Sequence, residues 1–74
     1  MSASINQARR LVNKNGLGKV QGVYFTCING QVSIRAHYYA TEVAALLRQA
    51  GWDYTTEYVT EYTAFPYTRF DLAQ

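Results

Sequence analysis

Histidine occurs once in the sequence, as His37, and Tyr38 and Tyr39 follow it directly. An imidazole close to a phenol and a guanidinium provides groups that can act as general acid and electrophile on a phosphodiester. The hairpin predicted below brings Tyr24 and Arg35 close to His37. The same side chains could equally form an exposed patch on a sheet. The sequence therefore leaves two hypotheses for this cluster, catalysis by His37 or binding.

Other residue types that carry chemistry are sparse. Cys27 is the single cysteine, so an internal disulfide is impossible, and one histidine without clustered cysteines argues against a transition-metal site. Glu57 and Glu61 share one face of a predicted strand, where carboxylates can transfer protons but more often only keep an edge soluble. Residues 16–18 (Gly-Leu-Gly) follow a helix and lack the third glycine of a phosphate-binding loop. We therefore predict no metal, no cofactor and, apart from the His37 hypothesis, no enzyme.

Binding is the function class that the composition favours. The chain contains seven tyrosines, and tyrosine and arginine dominate interaction hot spots because they bury a large area and keep a polar tip. Aromatic side chains on a sheet can also stack on nucleic-acid bases while nearby cations contact phosphates. The binding residues predicted around the hairpin are Tyr24, Arg35, His37 and Tyr39.

Charge is distributed unevenly along the chain. Met1 to His37 carries five Lys or Arg and no acid, whereas Tyr38 to Gln74 carries two Arg and five acids, so the halves have net charges of +5 and −3. This asymmetry can create a basic face, or the charges can neutralise each other if the two halves interleave. The predicted basic face consists of the helix residues Arg9, Arg10 and Lys14, together with Lys19 and Arg35.

The best-defined element is a β-hairpin over Val20 to Tyr39. Its centre, Asn29-Gly30, is typical of a two-residue type I′ turn, in which both residues have positive φ. This turn places Ile28 opposite Gln31 and fixes the register of the pairs beyond them. One face of the hairpin is then apolar and consists of Val23, Phe25, Cys27, Val32, Ile34 and Ala36. The other face pairs Tyr24 with Arg35, Thr26 with Ser33 and Gly22 with His37.

Two amphipathic helices flank the hairpin. The first begins at Ile5 after the capping residue Ser4 and ends before Gly16. The second begins after Thr41 as its N-cap and ends before Gly51. The apolar stripes are Ile5, Ala8, Leu11 and Val12 in the first helix and Val43, Leu46, Leu47 and Ala50 in the second, with Trp52 expected to pack near Leu47.

A third strand is predicted over Tyr54 to Thr63, because its threonines and Val59 favour a strand although tyrosines recur at helical spacing. Pro66 ends that ladder, and the alternation after it allows a short fourth strand. The predicted fold class is α+β. It is a two-layer sandwich in the order α-β-β-α-β(-β), in which an antiparallel sheet with a central hairpin carries both helices on one face. One buried cluster is expected to contain Phe25, Ile34, Leu46 and Leu47.

The 74 residues are predicted to form one domain, 1–74, whose small core supplies a net stability of about 3–5 kcal/mol. Because no disulfide can reinforce it, a homodimer or a tightly bound partner is expected. No apolar run reaches the roughly 20 residues of a membrane span, and residues 1–4 lack the features of a signal peptide. We therefore predict a cytoplasmic protein with no membrane partner.

Residues 43–52, Val-Ala-Ala-Leu-Leu-Arg-Gln-Ala-Gly-Trp, precede a predicted strand. This segment resembles the opening of HicA-type mRNA-interferase toxins, in which a helix ends at Gly-Trp and strands follow. The resemblance implies a ribonuclease toxin. That family carries its catalytic histidine in the strand region after this segment, whereas no histidine follows Trp52 here, so only the shape carries over.

The whole chain resembles the small accessory proteins of bacteriophages, including anti-CRISPR inhibitors, in its size, its lack of catalytic motifs and its aromatic and charged faces. The resemblance implies a non-enzymatic inhibitor or adaptor in the host cytoplasm that contacts a host protein or nucleoprotein complex. This is the leading hypothesis for the function. The alternative is a small RNA- or DNA-binding module that uses the basic helix and the hairpin, and the third hypothesis is a HicA-like ribonuclease.

Overall fold

The structure is a computed structural model that describes residues 4–61 and 64–73. A 3₁₀ turn, Lys19–Gln21, leads into the sheet. The chain order, helix-strand-strand-helix-strand-strand, confirms the predicted α+β class and includes the fourth strand. The described residues form two α-helices, α1 (Ile5–Lys14) and α2 (Ala40–Gln49), and four strands, β1 (Val23–Ile28), β2 (Gln31–Ala36), β3 (Tyr54–Val59) and β4 (Tyr67–Leu72).

Local side-chain and backbone bonds fix the helix ends. The Ser4 hydroxyl accepts from the Gln7 amide at 3.1 Å, and the Gln7 side chain accepts from the Ser4 amide at 2.8 Å, which is a reciprocal capping box. At the end of α2 the chain reverses at Gly51, and the Trp52 amide donates to the Leu47 carbonyl at 3.1 Å. Trp52 therefore turns back onto the last helical turn, as predicted.

The β1–β2 hairpin has the predicted register. Asn29 and Gly30 have φ values of 51° and 79°, as a type I′ turn requires. The strands are shorter than the predicted span of Val20 to Tyr39, because residues 19–21 form the 3₁₀ turn. The pairs run from Ile28–Gln31 at the turn to Val23–Ala36 at the far end.

The four strands form one antiparallel sheet in the order β1-β2-β4-β3. Strand β4 pairs with both β2 and β3, so β2 and β4 are the inner strands and β1 and β3 are the edges. The hairpin therefore occupies one half of the sheet rather than its centre, because β4 completes the other side of β2.

The core lies between the two helices and one face of the sheet. Its sheet residues alternate along the strands with polar neighbours, as expected for a sheet that is covered on one side. Because both helices contribute to a single cluster, the two-layer arrangement is confirmed. We call the other side of the sheet, which no helix of the described chain covers, the open face. The buried cluster consists of Ala8, Val12, Val43 and Leu47 from the helices and Val23, Val32, Ile34, Ala36, Phe70 and Leu72 from the sheet.

Three residues predicted for the core lie outside it or at its margin. Cys27 is exposed, because it lies on an edge strand near the hairpin turn and the helices do not cover that end. Phe25 lies on the same edge strand and is half-buried against the core. Leu46 is also half-buried, since it is turned about 100° around the helix from the buried Leu47. Ile34 is buried, as predicted.

Helix α2 begins earlier than predicted. Ala40 is its first residue, and the preceding Tyr39 is the N-cap, with a φ of 65° and no side-chain capping bond. Thr41 is therefore inside the helix rather than at its cap. The left-handed conformation of Tyr39 reverses the chain soon after β2 ends, so the helix starts closer to the N-terminus than predicted.

Strand β3 ends at Val59 rather than at Thr63. Val59 pairs with Tyr67, the first residue of β4, so the ladder has no partner beyond this pair. Glu61 lies in a turn after the strand, and the predicted pair of carboxylates on one strand face, Glu57 with Glu61, is therefore not formed. The last two residues of the predicted strand, 62–63, lie outside the described residues.

Candidate binding surface

The open face brings together residues from all four strands. Alternate residues of a strand point to opposite faces, so the register also defines the rows of side chains on this face. One row across the sheet consists of Tyr24, Arg35, Arg69 and Glu57. The next row toward the hairpin turn consists of Thr26, Ser33, Asp71 and Thr55.

Three aromatic rings and a guanidinium form a continuous cluster on the open face. The His37 ring lies 5.7 Å from the Tyr24 ring in an edge-to-face arrangement and 5.4 Å from the Tyr67 ring. The Arg35 guanidinium carbon lies 5.2 Å from the Tyr67 ring centroid, which is within cation–π distance. The structure thus brings the predicted residues Tyr24, Arg35 and His37 together and adds Tyr67 to them.

Arg69 lies between two carboxylates on the same face. Its Nε donates to Asp71 Oδ2 at 3.2 Å, and its Nη2 lies 3.5 Å from Glu57 Oε2. Asp71 Oδ1 also accepts from the Ser33 hydroxyl at 2.6 Å. The charge of Arg69 is therefore balanced within the sheet, whereas the exposed Arg35 contacts the Tyr67 ring.

Two hollows adjoin this cluster. In the first hollow, the Tyr38 ring lies against the backbone of Gly22, which has a φ of 80°. A Cβ atom on residue 22 would lie 3.0 Å from Tyr38 Cδ2. The positive φ and this tight contact both favour glycine at position 22. The first hollow, of about 210 Å³, is mostly aromatic and is lined by Gly22, Tyr24, His37, Tyr38 and Phe65. The second, of about 320 Å³, is lined mainly by polar residue types, namely Thr26, Gln31, Ser33, Arg35, Arg69 and Asp71, together with Ile28.

Tyr39, the fourth residue predicted for the sheet surface, does not join the cluster. As the N-cap of α2 it lines a different groove, of about 400 Å³, together with Leu17, Glu42 and Leu46. The left-handed backbone at Tyr39 directs the chain away from the sheet and into the helix.

The basic residues of α1 divide between two flanks. Arg9 lines a groove at the β1 edge, together with Lys19 and Tyr24. Arg10 and Lys14 line a separate hollow beside Trp52. Neighbouring residues of a helix point about 100° apart, so Arg9 and Arg10 cannot share one direction. The predicted set of Arg9, Arg10 and Lys14 is therefore not a single basic surface.

Strand β4 contributes residues to the open face that were not predicted as site residues. Tyr67, Arg69 and Asp71 all contribute to the open face, whereas the sequence alone left this strand optional. The signal was present in the alternation itself, because the residues between them, Phe70 and Leu72, are apolar and buried. A short strand with one buried and one polar face is typical of a half-buried sheet position.

The functional groups of the open face contact one another. The ring contacts of His37 are with two tyrosine rings, and the open-face carboxylates Glu57 and Asp71 are engaged by Arg69. Within residues 4–61 and 64–73, no group of three His, Cys, Asp or Glu is placed to hold a metal ion.

Comparison with known proteins does not assign the chain to a family. No protein-family model, curated protein or solved structure matches it. The resemblances to HicA-type toxins and to phage inhibitors therefore stay predictions. In the part of the chain that the structure describes, no helix is both long enough and apolar enough to cross a bilayer.

Proposed function

We propose that this protein is a non-enzymatic inhibitor or adaptor that contacts a partner protein through its open face. The observation that carries the proposal is the cluster of Tyr24, His37, Tyr67 and Arg35 on a sheet face without a helix. These side chains support one another while Tyr24 remains 40% exposed. Aromatic and arginine side chains that are already held in place lose little entropy on binding, which favours them as hot spots.

The charges of the open face favour a protein over a nucleic acid. By register, the strands place Arg35 and Arg69 on this face together with Glu57 and Asp71, so its strand residues carry no net charge. Affinity for a phosphate backbone depends on cations that no neighbouring acid neutralises. An aromatic surface with balanced charge instead suits a protein interface.

The partner that we propose is a protein of a host nucleoprotein complex, as the resemblance to phage accessory proteins implies. Arg35 is the exposed cation of the aromatic cluster and would meet an acidic group on that partner. The aromatic hollow beside it, between Tyr24 and Tyr38, would accept an apolar or planar side chain.

The proposal is tested by affinity capture from a lysate of the source cells. The baits are the parent chain, the double variant Tyr24→Ala, Arg35→Ala, and the control Tyr58→Ala, Arg48→Ala. The control removes the same residue types from exposed positions away from the open face. Parent and control should recover a stoichiometric protein, and the open-face variant should recover at least about tenfold less. Equal recovery by all three baits, or no stoichiometric protein with the parent, would contradict the proposal.

A second candidate function, nucleic-acid binding, has one specific observation in its favour. Arg9 and Lys19 line a groove of about 340 Å³ at the β1 edge, beside the partly exposed ring of Tyr24. Cations next to an aromatic ring can hold phosphate while a base stacks on the ring.

Oligonucleotide titration separates the two functions. Nucleic-acid binding predicts an affinity that falls steeply with salt, is lost in Arg9→Glu, Lys19→Glu, and is largely kept in Arg10→Glu, Lys14→Glu. The second variant makes the same charge change on the other flank of α1. If no oligonucleotide binds the parent chain even at low salt, this second function is excluded.

A further inference from the structure

The two edge strands of the sheet differ in how they are protected. Natural edge strands usually carry charges, prolines or bulges that prevent pairing with another chain. Strand β3 (Tyr54–Val59) contains Glu57, which is paired with Arg69. Strand β1 (Val23–Ile28) contains no charged residue and no proline, and its pairing with β2 is continuous, without a bulge. The residues of β1 itself therefore carry none of these protections, and the nearby cations Arg9 and Lys19 lie only beside its first residues, Val23 to Phe25.

The hydrogen-bond phase shows which backbone groups this edge presents. The His37 amide donates to the Gly22 carbonyl at 2.9 Å, so Gly22 is hydrogen-bonded toward β2. In an antiparallel pair the bonded positions alternate. The even-numbered residues of β1 therefore bond to β2, and Phe25 and Cys27 direct their N–H and C=O groups away from the sheet.

The accessible part of the edge is short and has defined limits. At its start the outward amide of Val23 donates to the Gly18 carbonyl at 3.0 Å, so the chain itself occupies that position. At its other end the Asn29-Gly30 turn begins. The stretch that can accept another strand is thus residues 24–28, and its centre is Thr26.

We propose that two copies of this chain pair through β1, in antiparallel orientation about a two-fold axis at Thr26. Phe25 then forms hydrogen-bonded pairs with Cys27 of the second copy, using the outward backbone groups of both. Tyr24 lies opposite Ile28 of the second copy on the open face, in a close pair without backbone hydrogen bonds. The result is one eight-stranded sheet with both open faces on the same side.

A second copy fits this edge because the edge is complementary to itself. Ile28 is 64% exposed, Tyr24 is 40% exposed and Cys27 is exposed in the single chain. The two-fold axis places each of these apolar side chains opposite a residue of β1 in the second copy. No charge in β1 opposes the pairing. Because only five residues pair, the dimer is a weak one that depends on concentration.

Sedimentation equilibrium tests the proposal, with chain concentrations up to on the order of 1 mM. The parent should shift with concentration from the 8.4 kDa monomer toward twice that mass. Thr26→Lys places two lysines together at the axis and should weaken the dimer by at least about tenfold. Thr55→Lys, in the same row of the open face but on the opposite edge, should dimerise like the parent. A parent that stays monomeric, or equal weakening by both variants, would overturn the proposal.

Cross-linking tests the register without depending on Thr26→Lys. In a Cys27→Ser background, Tyr24→Cys together with Ile28→Cys places two cysteine pairs directly opposite each other, at a distance that a disulfide can bridge. Oxidation should convert this variant to covalent dimer, whereas Tyr24→Cys alone should remain monomeric because its two copies lie four residues apart along the paired strands. Equal cross-linking of both variants, or none in either, would overturn this pairing.

Discussion

The two faces of the sheet are built by the same four strands but from different kinds of residue. On the covered face, Ile34 and Phe70 pair across the inner strands and are 0% and 1% exposed. The next pair across the same two strands, Arg35 and Arg69, lies on the open face. A single step along the chain thus separates a dry core from a surface of rings and charges.

This difference indicates what each face contributes. Burying a large apolar side chain stabilises a domain by about 1.5–3 kcal/mol, so the residue types of the covered face follow from folding alone. Exposed ion pairs and cation–π contacts contribute on the order of 0–1 kcal/mol. Stability therefore does not explain why the open face carries Arg35 and Tyr24, and this contrast supports the proposal that the open face binds a partner.

The largest effect is expected from the covered face. Leu47→Ala should lower the free energy of unfolding by roughly 2–5 kcal/mol, because it leaves a cavity where α2 meets the sheet. Such a loss is most of the stability of so small a domain. The matched control is Leu46→Ala, which truncates the half-buried leucine next to it and should cost clearly less. Urea denaturation of both variants checks this, and equal losses would show that α2 does not bury Leu47 preferentially.

The next largest loss of stability is expected at the Asn29-Gly30 turn, which sets the register of the hairpin and so keeps its two faces distinct. Gly30 has a φ of 79°, and Gly30→Val should cost about 1–3 kcal/mol because a β-branched residue is strained there. Gly30→Asn should cost less, since asparagine tolerates the left-handed region. Thermal unfolding followed by circular dichroism compares the two. A valine variant as stable as the asparagine variant would argue against the type I′ turn and hence against the register.

A smaller loss of stability is expected when the carboxylates of the open face are removed. Asp71→Ala leaves the buried hydroxyl of Ser33 without its 2.6 Å acceptor and should cost about 1–2 kcal/mol. Glu57→Ala removes the carboxylate that pairs with Arg69 at the edge of the sheet. Because the Glu57 side chain is 62% exposed, this variant should cost less than about 0.5 kcal/mol. Equal losses of stability in chemical denaturation would show that the Ser33–Asp71 hydrogen bond does not stabilise the fold.

The smallest change in stability is expected for the residues assigned to binding. Tyr24→Ala, Arg35→Ala should stay folded, with a loss of less than about 1 kcal/mol, because their cross-strand contact is exposed. The measurement is the same urea titration used for the core variants. A loss as large as that of Leu47→Ala would mean that the cluster is a structural element, and the contrast between the two faces would fail.

Much of the hairpin could be predicted from the sequence, because two independent features agree there. The Asn29-Gly30 turn and the alternation of apolar residues specify the same register, and the observed pairs reproduce it. The cluster of Tyr24, Arg35 and His37 follows directly from that register. Local signals of this kind need no knowledge of the rest of the fold.

The order of the strands could not be predicted in the same way, because it depends on contacts between distant segments. Nothing near Cys27 shows that β1 is an edge, and its exposure follows only from the pairing of β4 with the far side of β2. The same pairing brings Tyr67 and Arg69 to the open face. The position of Tyr39 was also missed, because its left-handed backbone is unusual for an aromatic residue.

Covalent labelling of side chains in the captured complex tests whether the open face is the surface that contacts the partner. Labelling of tyrosine, histidine and arginine is read by mass spectrometry in the free chain and in the complex. Tyr24, Arg35 and His37 should lose label in the complex, while Tyr58, which is 67% exposed at the β3 edge, should keep its label. Protection of Tyr58 with unchanged labelling of Tyr24, Arg35 and His37 would show that the open face is not the binding surface.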